Sequence, residues 1–215
     1  VTAAQMIPVL FRRTLDLQQS YFAMGETIAH LNHLWRRGRA RRMAGFLDLV
    51  LCLLPFEREV YDQAGLRAIF TGHPLADQLP LEPDRAAART ELGLEATAPL
   101  VALLPGSRVG EVSRLAADFA GAAAWLAQRR PGLQFAAALA DAHTRGLFER
   151  ALAAHAPGVA LRVFEGRSRA VLTAATVALV ASGTATLETL LCKRPMVVAY
   201  RLGRASAFAL RGLGL

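Results

Sequence analysis

The chain has 215 residues, of which 53% are apolar and 20% charged, and a net charge of +8. That length suits one large domain or two small ones, and that apolar content excludes wholesale disorder. No uncharged apolar run reaches the roughly 18 residues a spanning helix needs, and no signal-peptide pattern opens the sequence.

In chain order, residues 1–34 carry no motif, and 18–33 read as helical. Residues 35–42, Trp-Arg-Arg-Gly-Arg-Ala-Arg-Arg, form a dense basic cluster. The run 48–54 (DLVLCLL), stopped by Pro55, reads as a buried parallel strand. Residues 56–64 read as a short helix with Gly65 as its C-cap, and Glu57 and Glu59 as a solvated face. Residues 66–70 read as a second short strand, followed by the turn-prone Thr71-Gly72-His73-Pro74. Pro80 and Pro83 punctuate a linker, which places a domain boundary there. Beyond it the pattern alternates. Strands are expected at 100–104, 133–139, 159–164, 176–181 and 196–200. Helices are expected at 111–128, 143–154, 168–174 and 186–192. Such alternation indicates βαβ units: an α/β fold with a Rossmann-like parallel sheet and helices on both faces.

Lys193 is the only lysine; every other cationic side chain is arginine. Arginine forks onto phosphate and carboxylate, so anionic partners are favoured: nucleotides, nucleic acid, lipid headgroups or phosphorylated substrates. Cys52 and Cys192 have neither metal-ligand spacing nor a disulfide framework, which fits a reducing compartment. His143 and His155 lack partners at metal-ligand spacing, so no metal is expected.

Two turns carry the chemistry, each at the carboxyl end of an expected strand, the edge where open α/β sheets bind ligands. The first is Leu103-Leu104-Pro105-Gly106-Ser107-Arg108, leading to Glu111. Gly106 permits close backbone approach, Ser107 can donate to a ligand or cap the next helix, and Arg108 can fork onto a phosphate. An ordinary strand–turn–helix connection remains the alternative. The second is Ala181-Ser182-Gly183-Thr184-Ala185, entering a helix. Free N–H groups at a helix start bind anions, and the hydroxyls of Ser182 and Thr184 add donors suited to a diphosphate. Glu188 is expected in the first helical turn, either accepting from a ribose hydroxyl or capping the helix. Neither turn is a Walker A or GxGxxG sequence. His73 either orients a ligand beside the linker or serves its own turn. Neither Ser107 nor Ser182 sits in a GxSxG elbow, which argues against a hydrolase. The cluster Arg36, Arg37, Arg39, Arg41 and Arg42 suits an anionic membrane surface or a nucleic acid. A nucleic-acid module would explain the net charge, but the remaining arginines are dispersed and few aromatics interleave with them.

Taken together, these stretches resemble the lipid-A-disaccharide synthase family. The likeness runs through Trp35–Arg42, Asp48-Leu49-Val50-Leu51, Leu54-Pro55-Phe56-Glu57, Tyr61 and Gly72-His73-Pro74-Leu75-Ala76-Asp77. It continues through the two turns with Glu111-Val112 and Leu187-Glu188, and through Pro195-Met196-Val197-Val198-Ala199-Tyr200-Arg201. The order and spacing match over about residues 35–204. The resemblance implies an inverting, metal- and cofactor-independent glycosyltransferase of two Rossmann-like domains, the GT-B architecture. It implies UDP-2,3-diacylglucosamine and 2,3-diacylglucosamine 1-phosphate as substrates, and UDP and the β-1,6-linked disaccharide of lipid A as products. It further implies the cytoplasmic face of a Gram-negative inner membrane, no nucleic-acid partner, and room for a homo-oligomer. On this likeness Gly106, Ser107 and Arg108 contact the nucleotide, Ser182, Gly183 and Thr184 hold the diphosphate, and Glu188 lies near the ribose. Residues 35–83 correspond to the last elements of an N-terminal domain and its linker, and 84–215 to a UDP-sugar domain cut short at its C-terminus. Residues 1–34 show neither the family's early glycine-rich loop nor the aspartate proposed as its base. The chain is therefore expected to bind UDP with little or no turnover. Other UDP-sugar GT-B transferases are the alternative enzyme reading.

Overall fold

Short apolar runs separated by helices fold here into two parallel sheets, one in each of two units, Val1–Gln78 and Leu79–Leu215. The structure is a computed structural model and describes residues 38–201.

The described part of the first unit holds α1 (Arg39–Met43), β1 (Val50–Cys52), α2 (Glu57–Asp62), β2 (Ala68–Phe70) and α3 (Pro74–Gln78). β1 and β2 pair in parallel, with Leu51 opposite Ile69 and Cys52 opposite Phe70. Proline cannot extend the ladder, so β1 ends before Pro55. The Glu57 carboxylate accepts the Leu54 N–H at 2.8 Å and fixes the entry to α2. Glu57 is thus half-buried and structurally engaged, which corrects its assignment to a solvated face; Glu59 is exposed as expected. Gly65 takes φ +76°, a left-handed conformation that lets the chain turn back after α2. Cys52, Tyr61, Leu66, Ala68 and Ala40 form the small core on one side of the pair. On the other side Leu51 is 61% and Ile69 40% exposed.

In the second unit the elements are α4 (Arg85–Glu91), β3 (Leu100–Leu104), α5 (Val109–Arg129), β4 (Gln134–Leu139), α6 (Ala142–His155) and β5 (Leu161–Glu165). They continue with α7 (Ser168–Ala174), β6 (Val177–Ala181), α8 (Thr184–Leu191) and β7 (Met196–Ala199). All five strands are parallel, in the order β5-β4-β3-β6-β7. Side chains alternate across a strand, so β3 feeds two cores. Val101 and Leu103 pack with Val112, Phe119 and Phe148 of α5 and α6. Leu100, Ala102 and Leu104 pack with Ala88, Val171 and Leu172 of α4 and α7. Helices therefore cover both faces, as the alternation requires.

Three described helices escape the sequence reading: α1, inside the basic cluster, and α3 and α4, around the prolines. α3 follows His73, whose Nδ1 accepts the Leu75 N–H at 3.2 Å. α4 begins after Pro83, where the Asp84 carboxylate accepts the Ala87 N–H at 2.9 Å. α4 also carries Arg89, only 2% exposed. Its guanidinium donates to the carbonyls of Ala174, Glu95, Ala96 and Ala98 at 2.8–3.0 Å. One side chain thus ties α4 to the approaches of β3 and β6.

Candidate functional site

β3 and β6 are neighbours in the sheet although β4 and β5 intervene in sequence. From β3 the chain winds outward through β4 and β5, then returns to lay β6 on the opposite flank. This reversal leaves a crevice at the carboxyl ends of β3 and β6, the topological switch point where doubly wound sheets bind ligands. Leu104 is level with Val180 in the register. The residues that follow each strand, 106–108 and 182–184, therefore start at the same height.

They line one cavity of about 440 Å³, within the range of about 300–1,000 Å³ usual for small-molecule sites. All seven residues expected at a nucleotide site lie on it: Gly106, Ser107, Arg108, Ser182, Gly183, Thr184 and Glu188.

In the first turn, Glu111 organises the backbone. Its Oε2 accepts the N–H groups of Ser107 at 3.1 Å and Arg108 at 3.3 Å, and its Oε1 accepts Arg108 Nη1 at 3.0 Å. Partial burial pushes the Glu111 carboxyl up, but the two N–H groups and the Arg108 guanidinium outweigh it and hold the group below its usual range. The helix cap is therefore Glu111 reaching back, not Ser107, whose hydroxyl is left exposed on the cavity wall. Gly106 has φ +127°, and a Cβ there would lie 2.6 Å from the Glu111 Cβ. Glycine is required for the carboxylate to fold under the turn.

In the second turn, the Ser182 N–H donates to the Ala199 carbonyl at 2.8 Å, anchoring the turn to β7. Gly183 has φ +154° and ψ −156°, a combination reserved for glycine, and no atom lies within 4 Å of where its Cβ would stand. Its carbonyl accepts both the N–H and the hydroxyl of Thr186. The N–H groups of Thr184 and Ala185, which have no intrahelical acceptor, stand at the positive end of the α8 dipole beside the cavity.

α8 begins at Thr184, two residues earlier than expected, because the strained glycine starts it at once. Glu188 consequently sits in the second turn, which corrects its first-turn placement and removes the capping alternative. Its carboxylate lies 3.7 Å from Arg169 Nε. The sequence reading also missed a third wall, Gly166 and Ser168 after β5 with Ala138 to Ala140 at the carboxyl end of β4. The rule that found the first two turns applies equally to these.

His73 belongs to the first unit and engages its own turn. Arg36 and Arg37 lie outside the described residues. Arg39 opens α1, on which Arg41 and Arg42 are exposed. Both cysteines are buried, and burial pushes both thiols up. Among the described residues no set of three or more His, Cys, Asp or Glu could hold a metal, and no helix is long and apolar enough to cross a membrane.

Comparison with known proteins adds a family. The lipid-A-disaccharide synthetase family model matches residues 33–213. A model of the metallo-beta-lactamase-like C-terminal domain matches residues 1–50. The lipid-A-disaccharide synthase of Aromatoleum aromaticum is 50% identical over 171 residues, covering 79% of this chain and 44% of that protein. Its namesake in Alkalilimnicola ehrlichii is 48% identical over 181 residues (83% and 47%). That of Hahella chejuensis is 42% identical over 199 residues (93% and 50%). The chain spans about half the length of the curated relatives it matches. Among solved structures, the ADP-heptose LPS heptosyltransferase II of E. coli is similar with a TM-score of 0.48 and 16% identity, covering 70% of this chain and 48% of that one.

Proposed function

The chain belongs to the lipid-A-disaccharide synthase family, and on that premise we propose that its five-stranded unit is the nucleotide-binding half of a glycosyltransferase using a UDP-sugar. The donor is UDP-2,3-diacylglucosamine and the acceptor 2,3-diacylglucosamine 1-phosphate. The products are UDP and a β-1,6-linked disaccharide, formed with inversion and without a metal in a two-domain GT-B arrangement. The observation that carries this reading is the meeting of two turns, one at Arg108 and one at Gly183, in one cavity at the switch point.

The roles follow from chemistry. The diphosphate leaves as an anion, so donors fixed before the reaction stabilise it. The first-turn N–H groups of α8, with Ser182 and Thr184, supply them. Arg108 and Ser107 address the nucleotide from the facing turn, and Glu188 accepts from the ribose. Transfer also needs a base within hydrogen-bond reach of the acceptor hydroxyl. Glu111 is a poor one, because three donors already hold it ionised. Glu188 is paired with Arg169. This unit thus supports departure of the leaving group, and activation of the acceptor falls to residues outside it. Action takes place at the cytoplasmic face of the inner membrane, where the arginines between 36 and 42 rest on anionic headgroups.

Isothermal titration with UDP tests the reading. Saturable binding to one site is expected, and Gly183→Ala should weaken it by about tenfold or more, because alanine cannot hold that backbone conformation. Folded protein that ignores millimolar UDP would overturn it. In a radiolabelled transfer assay the chain alone should give little or no disaccharide, and robust turnover would refute the division of labour.

A further inference from the structure

A second cavity, of about 180 Å³, adjoins the first. The two share Glu111, Ala181 and Ser182, and the second is completed by Arg114, Leu115, Tyr200 and Arg201. It lies between the amino end of α5 and the carboxyl ends of β6 and β7. Arg201 is oriented there: its Nη1 donates to Asp118 Oδ2 at 2.9 Å and to the Arg114 carbonyl at 3.4 Å. The Arg114 guanidinium folds back over Gly110, where a methyl group would meet its Nη2 at 3.3 Å. No acceptor holds that guanidinium among the described residues. The acid on the wall, Glu111, has its charge met by Arg108 and two backbone N–H groups. Arg201 is paired with Asp118 and Glu111 with Arg108, so the unmatched charge on this cavity is the Arg114 guanidinium, and it leaves the cavity electropositive. Its size admits a phosphate and the first atoms attached to it, but not a second nucleotide.

We propose that this cavity is a phosphomonoester subsite, in which Arg114 and Arg201 hold the phosphate of the second substrate while the nucleotide occupies the cavity beside it. The inference rests on the nucleotide reading of the first cavity and extends it. Guanidinium forks match the geometry of a phosphate dianion. The shared wall of Ser182 and Glu111 sets the two anions side by side without a common binding group. A donor and a phosphorylated acceptor need that arrangement to be bound together.

The test is titration of the full chain, already saturated with UDP, with glucosamine 1-phosphate, inorganic phosphate and glucosamine. Glucosamine 1-phosphate should bind saturably without displacing UDP, inorganic phosphate more weakly, and glucosamine not at all. Arg114→Ala should weaken glucosamine 1-phosphate by about tenfold and leave the UDP affinity within about twofold, with partial recovery in Arg114→Lys. Arg114 is exposed, so its replacement leaves the fold intact; Arg201→Ala serves as the second variant. Competition between the sugar phosphate and UDP, or an equal loss of UDP affinity in Arg114→Ala, would overturn the proposal. So would the absence of phosphate binding to protein that binds UDP. Equal affinity for inorganic and sugar phosphate would assign the cavity to a free anion and defeat its place in the reaction. If UDP fails to bind but Arg114-dependent sugar phosphate binding persists, the nucleotide reading falls and the subsite stands.

Discussion

Residues 49–53 and 100–104 are both unbroken runs of mostly large apolar side chains, yet their surroundings differ. In β3 no side chain is more than 5% exposed, because strands flank it on both edges and helices cover both faces. In the first unit Leu49, Leu51 and Leu53 are 40%, 61% and 43% exposed. Among the described residues β1 has one strand partner, and the buried residues of its unit lie on one face of the pair. An apolar run of this length announces a strand that wants two covers. Whether it receives them is decided by the neighbouring elements, not by the run itself.

The sharpest way to break this comparison is one charge placed in each strand. Leu103→Asp should destabilise the second unit by more than about 4 kcal/mol, since an unpaired carboxylate would be buried at the centre of the sheet. Leu51→Asp should shift stability by no more than about 0.5 kcal/mol. Urea unfolding followed by circular dichroism reads both. Similar losses in the two variants would mean that Leu51 is covered in solution.

A second contrast uses arginines. Arg89→Met strands four carbonyls and should cost about 2–4 kcal/mol, whereas Arg41→Met on exposed α1 should lie within about 0.5 kcal/mol. Comparable midpoints in urea would deny Arg89 its role as a tie.

The smallest effect concerns the cavity itself. The folded state depresses the Glu111 carboxyl below its ordinary 4.5. Its contribution is therefore present above that pH and fades as pH falls through the lower folded value. Glu111→Gln should cost about 1 kcal/mol near neutrality and progressively less under acid. Stability curves of the two proteins recorded between pH 7 and pH 3 should converge; parallel curves would contradict the assigned hydrogen bonds.

Most of the second unit is legible from its residues. The run 100–104 coincides with β3, and 168–174 coincides with α7. Continuous apolar stretches between turn formers leave few alternatives. The helices around the prolines are less legible. Pro83 reads as a breaker, while the capping role of Asp84 next to it is the local signal that outweighs it. Nothing in an alanine- and arginine-rich helix marks Arg89 as the side chain that turns inward; carbonyls at 95, 96, 98 and 174 decide that. At the cavity, the identity of the two turns is local information. Their convergence is not, because it depends on strand order. The position of Glu188 depended on the backbone at Gly183, which determines where α8 starts.

That strand order also has a consequence in time. The Leu100 N–H is bonded to Thr176 Oγ1, 76 positions along the chain. Contacts this remote close slowly, since a long loop must lose its freedom before they form. Helix content should therefore recover early during refolding, with competence to capture a nucleotide trailing behind until the far strand docks.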